Sequence, residues 1–204
     1  MLQRVPANMP MGRIAAALFT LAAMAMPAAA QVIDHLGVPG PIEFDGRSYE
    51  LAWSAKPAEN YTKQEYLPSG QTVETYAQML LVEVVTGNKR VMDAVGDQVD
   101  TLNKRKSSDP LVNVAVIENK AAREALVDFI VSAKDANGEY ILEWNAYRYA
   151  PYRGASGETG VLLYAVSHRA YGNENAKTFL SGLKALRPTQ IDALAKATLP
   201  ISGN

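Results

Sequence analysis

Apolar and polar residues alternate with period two over residues 42–53, and Asp45-Gly46 interrupts them. This predicts a β-hairpin whose turn takes its positive φ angles from Asp-Gly. Residues 61–67 predict a further strand bounded by Pro68-Ser69-Gly70, and residues 76–85 a long apolar one ending at Thr86-Gly87. The period then changes. Across residues 88–106, Val91, Val95, Val99 and Leu102 recur at helical spacing with Met92 beside them, while Lys89, Arg90, Asp97, Asp100 and Lys104 fill the rest of the wheel. That is an amphipathic helix. Gly96 in its middle costs about 1 kcal/mol relative to alanine, so it is expected to mark a close approach of helix to sheet.

Alternation returns over residues 111–117 and 125–133, followed by Asn137-Gly138. A two-residue Asn-Gly turn would set Val131 opposite Trp144, Phe129 opposite Ala146 and Ala133 opposite Leu142 on an apolar face. Ser132 opposite Glu143, Ile130 opposite Asn145 and Asp128 opposite Tyr147 would then form a half-polar face. A third strand is expected over residues 161–171. Asn173 then offers an N-cap to a helix striped by Ala176, Phe179, Leu180, Leu183 and Leu186, and Pro188 opens a short terminal helix reaching Ala197. Strands, one helix, a run of strands and then helices make an α+β pattern, a mostly antiparallel sheet with flanking helices. The pattern disfavours a doubly wound parallel sheet and the crevice such sheets open at their switch points.

Residues 1–30 read differently. Arg4 and Arg13 precede the apolar run of residues 14–26, and Pro27-Ala28-Ala29-Ala30 follows it. The run is too short to span a bilayer, and Ala28 and Ala30 give the A-x-A shape of a cleavage site, so a signal peptide cut before Gln31 is expected. Residues 31–204 would form a single α+β domain. Removing Arg4 and Arg13 lowers the 20 Lys+Arg to 18 against 21 Asp+Glu, a net charge of −3. That balance lacks the basic excess a nucleic-acid partner needs. The chain has no cysteine, so neither a lipidated cysteine nor a disulfide is available, and the mature protein is expected free in the periplasm or secreted, with no membrane span. With 48% hydrophobic residues it is neither disordered nor low-complexity.

Chemistry is sparse. The histidines are His35 and His168, and Ser167 beside His168 points to the opposite face of its strand, which excludes a Ser-His dyad. No cysteine and two distant histidines leave no zinc ligand set. In an EF-hand reading of residues 135–138, with Gly138 at loop position six, Ala133 and Trp144 fall where carboxylates are required. Gly154, Gly157 and Gly160 match neither dinucleotide nor P-loop spacing and read as a hairpin loop between strands. No metal and no cofactor are expected. The richest stretch is residues 143–153, where Glu143, Asn145, Tyr147 and Tyr149 share one strand face. Tyrosines beside a carboxylate and an amide suit binding of a sugar, a peptide or another protein. Alternatively a helix covers that face and the tyrosines are core edges. Burial of Tyr147 and Tyr149 would remove an exposed binding face.

The stretches Ser48-Tyr49-Glu50-Leu51-Ala52-Trp53, residues 61–71 and residues 76–82 resemble small uncharacterised exported proteins of proteobacteria, and the element order resembles the PsbP/Mog1-like fold. That resemblance implies an antiparallel sheet with helices on both sides, an α/β/α sandwich, in mainly accessory or binding proteins. The expected function is accordingly a periplasmic accessory or binding protein without catalysis, holding a protein or envelope ligand. Two alternatives stand beside it. One is a small hydrolase using Asp128 or Glu143 with Tyr147, and the other is a structural subunit of an envelope assembly.

Overall fold

Strands adjacent in sequence pair antiparallel along most of the chain. The computed structural model describes residues 32–201; the expected leader lies outside them. Asp45 and Gly46, both at positive φ, turn β1 (Ile42–Phe44) into β2 (Arg47–Ala58). Then follow β3 (Tyr61–Leu67) and β4 (Gln78–Thr86), and α1 (Val91–Arg105) carries the chain across the sheet to β5 (Asn113–Asn119) at its far edge. From there β6 (Glu124–Lys134), β7 (Tyr140–Arg153) and β8 (Thr159–Tyr171) return strand by strand until β8 meets β4, and α2 (Asn173–Lys196) closes the chain. The sheet order is β1-β2-β3-β4-β8-β7-β6-β5, and every pairing is antiparallel.

The expected α+β sandwich with flanking helices does not form. Strands take 45% and helices 23% of the described residues, which form one curled eight-stranded sheet, a half-barrel, with two helices. The physical reason lies in β6, β7 and β8, of 11, 14 and 13 residues. Twist accumulates along strands of that length, so the sheet curls, and a lone helix rather than a helical layer covers each side of it. One helix lies against each face: α2 packs Leu183 and Leu194 with Trp144, Leu80 and Leu162, while α1 packs Val91, Val95 and Leu102 with Val127, Phe129 and Leu163. Among the described residues no helix is long and apolar enough to cross a membrane.

The turn between β6 and β7 is one residue longer than Asn137-Gly138 alone predicts. The Asp135 amide donates to the Glu139 carbonyl at 2.9 Å, and the Asp135 carboxylate accepts the Asn137 and Glu139 amides, so Ala136, Asn137 and Gly138 form a three-residue loop with Gly138 at φ +81°. The register shifts by one. Ile130 faces Trp144, Phe129 faces Asn145 and Val131 faces Glu143, in place of the predicted pairs. Strand β6 is buried on both faces, and Asp128 on the less apolar one is accommodated by Trp144 and Arg187, so the purely apolar face of Val127, Phe129 and Val131 turns to α1 instead.

Two helix expectations also change. Gly96 sits on the solvent side of α1 with open space where a Cβ would stand, so it marks no close approach. Pro188 lies inside a continuous α2. It removes one backbone donor, and the neighbouring Thr189 hydroxyl donates to the Ala185 and Leu186 carbonyls.

Candidate functional site

On β7, Trp144 and Ala146 pack toward α2, while Glu143, Asn145, Tyr147 and Tyr149 share the opposite face. That second face is not an open surface. Helix α1 lies over it, leaving Tyr149 only 2% exposed and Tyr147 half-buried, so an exposed binding face is ruled out. Between α1 and the sheet there is instead a cavity of about 770 Å³, and all four residues line it. Small-molecule sites span roughly 300–1,000 Å³.

Small side chains in the middle of the floor make the room. Ala165 on β8 stands between Leu81 on β4 and Tyr147 on β7, and Ser167 stands between Met79 and Asn145. The roof is equally spare, because α1 presents Ala94, Gln98 and Thr101 to the cavity. A clasp at the helix C-terminus holds that roof in place. Arg105 donates to the Asp109 carboxylate at 2.9 Å and to the Ser132 carbonyl at 2.5 Å, and Asp109 accepts both the amide and the hydroxyl of Ser132 at 2.6 Å.

Polar groups gather at two places. At one, Glu143 accepts the Tyr76 hydroxyl at 2.5 Å, the Asn145 amide at 3.1 Å and Arg169 Nε at 2.8 Å; Asn145 in turn meets the Ser167 hydroxyl. At the other, the Tyr61 hydroxyl donates to Glu83 at 2.7 Å and Lys63 pairs with Glu65 at 2.8 Å. Between them the Tyr147 ring stacks on Phe129 with centroids 5.7 Å apart, and Tyr149 lies beside it at 6.3 Å.

The electrostatics follow from enclosure. Burial, reinforced by Glu83, pushes the Tyr61, Tyr147 and Tyr149 hydroxyls far above the ordinary tyrosine range, so they remain donors. Burial and Glu143 do the same to Tyr76. Burial opposes the charge of Lys63, but Glu83 and Glu65 outweigh it and hold that ammonium above its usual value. Among the described residues, neither the Tyr147 and Tyr149 hydroxyls nor the Gln98 amide meets a hydrogen-bond partner.

The carboxylates considered for hydrolysis do not meet. Asp128 lies on the α2 side of the sheet, accepting Trp144 Nε1 at 3.0 Å and pairing with Arg187 at 2.7 Å. His168 is on that side too, its Nε2 3.2 Å from Gln190 Oε1 and its ring 5.7 Å from Trp144, whereas Ser167 faces the cavity, as strand alternation predicts. Gly154 and Gly157 turn the β7–β8 hairpin, but Gly160 belongs to β8 itself.

Tyr61, Lys63, Glu65, Tyr76, Glu83 and Arg169 were not singled out by the sequence reading. A signal for four of them was present. Tyr61, Lys63 and Glu65 recur at every second position of a strand, and Glu83 interrupts an otherwise apolar run, which in a buried strand requires a specific reason.

A family model of uncharacterised proteins matches residues 36–199. No curated protein and no solved structure matches the chain, and nothing here points to a PsbP/Mog1-like fold.

Proposed function

Because the chain belongs to that uncharacterised family, which lends it no activity, we propose on physical grounds that it is a non-catalytic binding protein holding a small amphipathic molecule between α1 and the curled sheet. One observation carries the reading: a cavity of about 770 Å³, mostly apolar, into which the Tyr147 and Tyr149 hydroxyls and the Gln98 amide project without partners. Small-molecule sites have this build, an apolar enclosure with few polar groups to orient the occupant. These groups open onto the cavity, where an occupant can take their hydrogen bonds in place of solvent. The absence of catalysis is supported by Glu143, whose two oxygens are taken up by Tyr76, Asn145 and Arg169, and by Asp128, which lies beyond the sheet.

The proposed place of action is the periplasm. Its support is the three-part leader in residues 1–30 and the absence of cysteine, which suits a protein exported without disulfides.

The neutral fluorophore N-phenyl-1-naphthylamine tests the cavity. The full chain should bind it with one-to-one stoichiometry and a blue-shifted emission, and Gln98→Trp, which fills the cavity from the helix side, should abolish binding while circular dichroism stays unchanged. Absence of binding to the unsubstituted protein, or binding that survives Gln98→Trp, overturns the proposal.

A further inference from the structure

We infer that the cavity takes an organic cation, a protonated amine on an apolar body, with the charged head between Glu83 and Tyr149 and the body along Tyr147 and Phe129. This rests on the cavity being a binding site, as proposed above.

The first support is a charge count. Of six carboxylates in the lining, Glu74 is exposed and Asp135 caps the β6–β7 turn; of the other four, Glu143 holds Arg169, Asp97 holds Lys89, and Lys63 bonds Glu65 at 2.8 Å while standing directly opposite Glu83 across β3 and β4. One ammonium thus faces two carboxylates. Glu83 is 6% exposed, and among the described residues its carboxylate accepts a hydrogen bond from the Tyr61 hydroxyl while no cation lies within 4 Å of it. A buried negative charge in excess is unfavourable, and an incoming positive charge offsets it.

The second support is independent of the acids. Tyr149 is 2% exposed, lines the cavity and has an unpartnered hydroxyl. It shares one row of the sheet with Glu83, since Leu163 on β8 pairs with Glu83 on one side and Tyr149 on the other. Their backbones lie two strand spacings, about 10 Å, apart with the Leu163 side chain on the same face between them, so the head group would rest over Leu163 within reach of both side chains. The neighbouring Tyr147 and Phe129 rings, stacked on each other, offer an apolar surface for the body. Among the described residues the lining offers no cation to an anion, because Lys63, Arg105 and Arg169 are each already bonded to a carboxylate.

The test is competition against bound N-phenyl-1-naphthylamine by three probes of one shape: 2-phenylethylammonium, 2-phenylethanol and 3-phenylpropionate. The ammonium should displace the fluorophore at about tenfold lower concentration than the alcohol, with the carboxylate weakest. Glu83→Gln should erase the preference for the ammonium, and Tyr149→Phe, which removes no internal hydrogen bond, should weaken ammonium binding severalfold. Equal competition by ammonium and alcohol, no displacement by any probe, or a preference that survives Glu83→Gln overturns the inference and leaves the cavity proposal standing. If Glu83→Gln does not fold, Tyr149→Phe decides, and unchanged ammonium binding in it overturns the inference. Failure of the fluorophore itself to bind is seen before any amine is added and counts against the cavity proposal instead.

Discussion

The Tyr76 hydroxyl donates to Glu143 at 2.5 Å across 67 positions of sequence, and Arg169 completes the group by bonding the same carboxylate while its guanidinium lies 4.0 Å over the Tyr76 ring. The segment between β3 and β4 is thereby tied to β7 and β8 at one end of the cavity. The Glu143 and Arg169 side chains are only 13% and 11% exposed, so they count as a buried pair rather than a surface one.

Arg169→Ala should therefore destabilise the fold by about 3 kcal/mol, because it leaves Glu143 enclosed without its cation. Arg169→Met combined with Glu143→Leu should regain most of that loss. Urea denaturation measures both. A loss below about 1 kcal/mol in Arg169→Ala would place the pair with weak surface bridges and contradict its enclosure.

A second prediction concerns pH. Burial holds the His168 imidazole below its ordinary pKa of 6.5, with Gln190 opposing weakly; Arg47 and Asp45 are the charged groups that act on it. A lowered histidine pKa means that the unfolded chain binds a proton the folded chain refuses. The stability this contributes is complete above about pH 6.5 and is lost as pH falls from there through the folded value. Thermal midpoints should accordingly drop between pH 7 and pH 5, and His168→Phe should flatten the profile in that window. Asp109 acts lower down. Burial works against its charge, but hydrogen bonds from Ser132 and Arg105 outweigh burial and hold its carboxyl below the usual 3.8, so its contribution fades only in stronger acid. An unchanged slope between pH 7 and pH 5 in His168→Phe would remove His168 as the cause.

Local signals in the sequence carried the strands well and the overall shape poorly. Asp45-Gly46, the helical spacing of Val91, Val95 and Leu102, and the alternation around Trp144 each depend on neighbours within one or two turns, and each element forms where expected. Curling of the sheet depends on how twist accumulates over β6, β7 and β8 together, which no short window contains. The turn at Asn137-Gly138 shows the limit at one residue: the Asp135 carboxylate captures two amides and lengthens the loop, and β6, buried on both faces, takes the shifted register with Asp128 paired to Arg187. The candidate site was legible as a face, since alternation alone groups Glu143, Asn145, Tyr147 and Tyr149. That the face is roofed by α1, and that Glu83 and Lys63 come to it from β4 and β3, depends on β8 inserting between β4 and β7, a pairing across most of the chain.

Gly160 provides the sharpest test of that pairing. It lies between Thr86 on β4 and Tyr152 on β7, and a Cβ there would overlap the Val85 carbonyl oxygen and crowd the Thr86 Cα. Both are backbone atoms in the sheet, so no side chain can swing aside to make room; strands β4 and β8 would have to part. Gly160→Ala should therefore cost about 3 kcal/mol, the upper end of what overpacking costs, because backbone rather than a side chain must move. Gly157 makes the comparison informative. It sits at φ +91° in the hairpin loop with open space around it, so Gly157→Ala meets only the conformational penalty of a left-handed alanine, about 1 kcal/mol. Calorimetric midpoints should fall further for Gly160→Ala than for Gly157→Ala. Equal, small losses at both positions would mean that Gly160 behaves as one more loop glycine, and the close approach of β8 to β4 that frames the cavity floor would be wrong.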